Sequence, residues 1–234
     1  MSIFNQNDRV LIIAPHCDDE VLGCGGTIKF LSDKGIDITL YIVTGHGDGT
    51  HPLWPKSTWD TIHRECKKSS SYLGINKTIY GNLPAVCLPD LPIYKINEEI
   101  NSILNQTKPS VIFIPWKGDM HKDHEIINYS LSVNLRPYLA INRNVKLVLS
   151  YEVLSETNLP IESSNFTQFT PNFYIDISKF IKNKLKAMEF YQSQLTDLPS
   201  PRSIEALKAL AKLRGVHIGK EFAEAFIISY CLGS

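Results

Sequence analysis

The stretch "RVLIIAPHCDDEVLGCGGTIKFL", Arg9 to Leu31, decides the fold. Arg9 to Ala14 is short, apolar and β-branched, which predicts a strand buried on both faces. That run stops at Pro15 and His16, and three consecutive acids follow, Asp18, Asp19 and Glu20. From Glu20 onward Val21, Leu22, Ile28 and Leu31 recur at roughly helical spacing, and Gly35 sits where a helix would stop. Strand, acidic turn and helix together open an α/β unit. Neighbouring carboxylates repel one another unless positive charge sits among them.

The same alternation continues outward. "IDITLYIVT" (Ile36 to Thr44) reads as the next strand, followed by the polar loop "GHGDGTHPLWPK". Ser57 offers an N-cap for a helix ending near Gly74. A short strand over Lys77 to Tyr80, a helix over Ile96 to Gln106 and the buried strand "SVIFIP" (Ser110 to Pro115) come next. "WKGDMHKDH" leads into a helix from His124 to Leu139. "VKLVLSYEV" and "NFYIDI" read as strands, and helices follow at Ser178 to Gln194 and Arg202 to Arg214. Periodicity leaves "FAEAFIISY" open between strand and short helix. Leu154 to Pro171 is the longest aperiodic stretch, a substrate-facing loop or a plain excursion. Strands alternating with helices predict a three-layer α/β/α sandwich with a mostly parallel central sheet, Rossmann-like in plan.

At 234 residues, 1–234 is expected to form one domain. Acids and bases balance at 24 each, so no global charge pulls the chain toward nucleic acid or membrane. No apolar run approaches the roughly 18–20 residues that span a bilayer. The first residues lack the charged and apolar regions of a signal peptide. Five scattered cysteines without a CxxC fit a reduced chain, and the expected compartment is the cytoplasm.

Ligands bind at the carboxyl ends of parallel strands. Two loaded segments fall at such ends, "PHCDDE" after the first strand and "GDMHKDH" after "SVIFIP". Together they supply His16, Asp18, Asp19, Glu20, Asp119, His121, Asp123 and His124. Imidazole nitrogens and carboxylate oxygens are the donors of a catalytic zinc site, which uses three protein ligands and keeps one position open. Acids at a helix N-terminus are also favoured by the macrodipole without any chemistry; two such clusters at two strand ends favour the metal.

These residues resemble a known family. "PHCDDEVLGCGGTI" and "HKDH" are similar to the two signatures of the PIG-L/LmbE-type N-acetylglucosaminyl deacetylases. "HRECKKSSSYLGI", "KLKAMEFYQSQ" and "RGVHIGKEFAEAF" resemble three further family stretches, so the likeness runs from about residue 9 to about residue 228. The resemblance implies His16, Asp19 and His124 as zinc ligands and Asp18 as general base. It also implies His121 as oxyanion stabiliser or proton donor in protonated form, with Asp123 orienting an imidazole. Cys17 and Lys122 stand where the signatures carry proline. The implied activity is hydrolysis of an N-acetyl group on an N-acetylglucosamine-type conjugate, with assembly as a homo-oligomer, a trimer or hexamer. Other N-acyl sugars or thiol precursors are alternative substrates, and iron(II) would also suit N/O ligands. Substrate contacts are expected in the polar loop, at Asp48, His51 and Trp54, and from Arg64 and Glu65 on the next helix. Tyr191, Ser193 and Gln194 read as structural.

Two readings of another class compete. "GCGG" loosely matches GxGxxG, but acids occupy the turn where a diphosphate would sit, so a Rossmann-type nucleotide-binding protein is disfavoured. A carbohydrate-binding module without turnover would not need Asp18.

Overall fold

The computed structural model describes residues 3–136, 138, 139, 144–157 and 168–233. Seven strands form one mixed sheet, flanked by six helices among the described residues. The strands are β1 (Arg9–Ala14), β2 (Asp37–Gly45), β3 (Lys77–Pro84), β4 (Val111–Pro115), β5 (Leu147–Tyr151), β6 (Phe173–Asp176) and β7 (Ala223–Cys231). The helices are α1 (Asp19–Asp33), α2 (Lys56–Leu73), α3 (Ile93–Thr107), α4 (Lys122–Asn134), α5 (Ile181–Met188) and α6 (Ile204–Val216). Spatial order is β3-β2-β1-β4-β5-β7-β6. The first five strands run parallel, while β7 is antiparallel to both β5 and β6. Among the described residues no helix is long and apolar enough to cross a membrane.

Alternation along the central strands creates the three layers. Val10, Ile12 and Ala14 of β1 join one apolar cluster with α1, α2, α5 and α6; Leu11 and Ile13 join the other with α3 and α4. Chain order reverses at β1, since β2 lies to one side and β4 to the other, which makes the β1 and β4 carboxyl ends the switch point where ligands collect.

Several boundaries differ from the sequence reading. Helix α2 begins at Lys56 with Pro55 as N-cap and no side-chain cap, so Ser57 does not cap it. Helix α4 starts two residues before His124 and ends at Asn134, because His121 itself caps it. Helix α5 ends at Met188, and Tyr191 to Gln194 lie in the turns beyond. The "FAEAFIISY" segment is a strand because it pairs on both sides, with β5 and β6. Of the aperiodic stretch, residues 158–167 lie outside the described residues.

The glycines of "GCGG" serve contact rather than a ligand. A Cβ on Gly23 would lie 2.3 Å from the Tyr151 ring, and one on Gly26 2.7 Å from Ile177. The Tyr151 hydroxyl is itself anchored on the Ile13 carbonyl at 2.9 Å, so the ring cannot withdraw cheaply. Close approach of α1 to the sheet therefore depends on a missing side chain. Gly23→Ala is expected to destabilise the fold by about 1–3 kcal/mol through overpacking, read as a lowered denaturation midpoint; an unchanged midpoint would contradict this packing account.

Candidate metal centre

The loop after β1 is fixed from behind by the end of β2. Thr44 donates to the Pro15 carbonyl from its backbone N–H (3.1 Å) and from its hydroxyl (2.7 Å). Asp18 then caps α1 with φ 104°, a left-handed conformation costly for a residue with a Cβ. It is over-determined by its surroundings: its N–H donates to Glu20 Oε2 at 3.1 Å, and its carbonyl accepts from Val21 and Leu22. Tyr191 donates to the other Glu20 oxygen. The third acid of the opening motif is thus a buried tether and not a ligand.

Asp19 Oδ2 is the focus of the site. It accepts the His16 backbone N–H at 2.9 Å. The same oxygen lies 3.3 Å from His16 Nδ1 and 3.3 Å from His124 Nε2. Each imidazole is committed at its other nitrogen: His16 Nε2 to Asp123 Oδ2 at 3.1 Å, His124 Nδ1 to Asp119 Oδ2 at 2.9 Å. If those far nitrogens donate, the near ones turn lone pairs toward a carboxylate oxygen. His124 Nε2 is buried and makes no hydrogen bond. Two lone pairs facing an anion need a positive charge among them, either protons or one cation. The 3.3 Å separations match the edge, about 3.4 Å, of a tetrahedron built on metal bonds of about 2.0–2.2 Å. The residues therefore fit a divalent ion.

The carboxylates behind the imidazoles are themselves held. Asp123 accepts the backbone N–H groups of Val86 (2.7 Å) and Leu88 (3.3 Å). Asp119 accepts the Thr157 hydroxyl at 2.5 Å. Such partners fix tautomer and ring orientation around metals. His16, His121 and His124 also present ring nitrogens within 4.8 Å of one another. His121 differs from the other two, however. Its Nδ1 accepts the Asp123 N–H at 3.2 Å, which leaves the proton on Nε2, a donor and not a lone pair. Asp19 Oδ2, by contrast, offers lone pairs only.

Electrostatics sort the groups. Burial opposes charge on His16, but Asp123 and Asp19 outweigh it and raise its pKa to about 9. Burial likewise opposes His124, yet Asp19 and Asp119 raise it to about 10. Burial, reinforced by the neighbouring His16 and His124, lowers His121 to about 4. A neutral His121 is thus favoured over the protonated form expected from sequence. Burial and the charge of Asp19 raise Asp18 to about 7, against the pull of Arg202.

Asp18, His16 and His121 open onto a cavity of about 420 Å³ also lined by Trp54, Trp59, Glu156 and Arg202. Asp18 Oδ2 makes no hydrogen bond, although Arg202 Nε lies 3.4 Å away. Cys17 reaches the same cavity; burial pushes its thiol pKa up, which disfavours the thiolate. Of the expected substrate contacts only Trp54 lines it. Asp48 is exposed and accepts from Asn82 at 3.3 Å. Arg64 is exposed and bonds back to Asp60 and Thr61 of its own helix. His51 is buried with both nitrogens bonded to backbone, Nε2 to Ala85 and Nδ1 to Leu53 and Trp54. Glu65 accepts from Ser193 at 2.6 Å. Arg202 and Glu156 reach the site from distant, irregular segments and carry no motif of their own that would mark them in the sequence.

The model of the family described as PIG-L: GlcNAc-PI de-N-acetylase matches residues 11–133, more than half of the chain. Diacetylchitobiose deacetylase of Thermococcus kodakarensis is 27% identical over 229 residues, covering 94% of this chain and 83% of that protein. Among solved structures, the conserved protein TT1542 of Thermus thermophilus superposes with a TM-score of 0.76 at 26% identity, covering 97% of each chain. N,N'-diacetylchitobiose deacetylase of Pyrococcus horikoshii does so with a TM-score of 0.71 at 25% identity, covering 97% of this chain and 88% of that one.

Cation binding here must displace protons, since His16 and His124 keep theirs up to about pH 9 and about pH 10. Affinity for Zn²⁺ is therefore expected to rise with pH between about 6 and 9, with net proton release. Calorimetry in buffers of different ionisation enthalpy reads that release; uptake with none would contradict the assigned protonation.

Proposed function

The chain belongs to the PIG-L family of de-N-acetylases, and from that premise we propose that it is a zinc-dependent hydrolase that removes the N-acetyl group of N-acetylglucosamine-type conjugates. His16, Asp19 and His124 would hold the ion, with iron(II) as the other metal their N/O donors suit. One observation carries the proposal: ring nitrogens of two imidazoles, each held at its other nitrogen by a carboxylate, converge on a single Asp19 oxygen, beside an Asp18 oxygen without a hydrogen bond at a cavity wall.

The ion, when bound, polarises the amide carbonyl and makes hydroxide available near neutral pH. Asp18 Oδ2 accepts the proton of the attacking water as the water oxygen bonds to the acetyl carbon. A pKa of about 7 suits that task, because the group is ionised often enough to act and basic enough to take the proton. His121, with its proton on Nε2, donates to the carbonyl oxygen as negative charge grows there. Asp123 and Asp119 keep His16 and His124 oriented throughout. When the C–N bond breaks, the proton held by Asp18 passes to the departing nitrogen, and acetate and a free amine result.

The nucleotide-binding reading loses its support, since Gly23 and Gly26 face Tyr151 and Ile177 instead of a phosphate.

Asp18→Asn is expected to keep its full metal content while kcat for acetate release falls about 10²–10⁴-fold. Metal analysis and acetate assay on N-acetylglucosamine glycosides check both halves. Near-normal turnover would remove Asp18 from the base role, and loss of the metal would make it a ligand.

A further inference from the structure

We propose that Cys17 and Cys66 form a peroxide-oxidation site, and that the disulfide between them distorts the loop carrying His16 and Asp18 and weakens the metal centre. This goes beyond the deacetylase reading, whose steps use neither thiol. Both cysteines are free in the structure and both are buried, Cys17 7% and Cys66 0% exposed. They share one apolar cluster, and their sulfurs meet there: the Cys17 thiol hydrogen-bonds to Cys66. Cys17 lies in the loop after β1 and Cys66 on α2, so the contact joins two elements distant in sequence. Cys17 also lines the cavity that Asp18 and His121 line, which gives a small oxidant a route to the pair.

The surroundings favour negative charge on the inner sulfur. Besides the Cys17 thiol, the hydroxyls of Tyr191, Tyr80 and Ser70 reach Cys66, Ser70 Oγ at 3.8 Å. The hydrogen bond from Cys17, reinforced by those hydroxyls against burial, lowers the Cys66 pKa to about 6. A dithiol in which one sulfur carries the charge is the arrangement that redox-active pairs use. A buried cysteine that only fills space is pushed the other way, as Cys24 of α1 is, raised by burial.

Hydrogen peroxide is the oxidant, and it enters by the cavity. The Cys17 sulfur bonds to one peroxide oxygen as the O–O bond breaks; its proton passes to Cys66 and hydroxide departs. That hydroxide takes the proton from Cys66 and becomes water. The Cys66 thiolate then attacks the Cys17 sulfenic sulfur, the S–S bond forms, and a second hydroxide leaves. Each sulfur gives up one electron, and one peroxide is reduced to water and hydroxide. A covalent S–S bond is shorter than any hydrogen-bonded approach of two thiols, so closure draws Cys17 toward α2. The loop has little slack to absorb this. Thr44 anchors the Pro15 carbonyl on one side, and Asp18 is held at φ 104° on the other. The movement is therefore passed to His16 and Asp18, the two chain neighbours of Cys17.

The test treats the zinc-loaded full chain with hydrogen peroxide. The intact mass should fall by about 2 Da, the two thiol hydrogens, and peptide mapping should place the bond between Cys17 and Cys66. Zinc affinity, read by competition with a chromogenic chelator, should fall about 10–100-fold. Acetate release should fall with it, and dithiothreitol should restore both. Cys66→Ala and Cys66→Ser should keep the zinc affinity of the reduced wild type and resist peroxide. Absence of the Cys17–Cys66 bond, or a bond that leaves zinc affinity unchanged, overturns the proposal. So does an equal loss of zinc affinity in the Cys66 variants, which traces the damage to oxidation elsewhere. An untreated chain that releases no acetate sinks deacetylation alone, because mass and zinc affinity still decide the disulfide.

Discussion

Everything at the site depends on Asp19 Oδ2, one oxygen that three groups from two loops address at once. Its own backbone neighbour His16 donates to it, and the imidazoles of His16 and His124 point at it from opposite loops. A buried carboxylate so placed is unfavourable alone and favourable around a cation. Bringing His124 to it requires β1 and β4 to be adjacent, which they are, in parallel register from Val10 and Val111 onward. The order of strands in the sheet is thus what turns two local motifs into one centre.

The remaining family-like stretches hold that centre from behind. Lys184 and Glu224, far apart in sequence, form a buried ion pair at 2.6 Å against the body of α1. Glu224 accepts the backbone N–H groups of Gly26 (2.9 Å) and Thr27 (2.7 Å), while Lys184 donates to the Leu22 carbonyl at 2.8 Å. Both charges are therefore satisfied by the helix they pin, the condition under which a buried pair is tolerable. Tyr191 reaches Glu20 at the α1 start, and Ser193 reaches Glu65 on α2. These contacts fix the helix whose first turn carries Asp19.

Legibility in the sequence followed the range of the interactions. Strand β1, helix α1 and the clustering of His16, Asp19 and His124 could be read because each is a short motif at a strand end. Asp119 was visible as an acid near the site, but its role was not, since that needed Thr157 from beyond β5. Arg202 precedes α6 in an irregular "SPRS" segment, and nothing local says that it returns to Asp18. The polar loop showed the opposite failure. Asp48 and His51 have suitable chemistry, yet the fold spends His51 on backbone and leaves Asp48 at the surface. What a buried histidine bonds to decides whether it serves structure or the site, and those partners come from distant segments.

Charged neighbours brought in by the fold, and not burial, separate groups of identical chemistry. Asp18 and Asp19 are consecutive and both buried, yet their pKa values move apart: Asp18 rises to about 7, while His124 and His16 outweigh burial and hold Asp19 well below the carboxylate range. The histidines split in the same way. His16 and His124, each with carboxylates at hand, hold positive charge firmly; His121, one turn from His124 and ringed by the other two, gives it up. Opposed shifts within one cluster assign roles. The permanently ionised Asp19 and the imidazoles that seek positive charge are suited to a cation. The carboxyl poised near neutrality and the imidazole kept neutral are left to move and hold protons. One sheet edge thus sets carboxyls and imidazoles of opposed pKa a few ångströms apart, the division of labour that the proposed hydrolase would need.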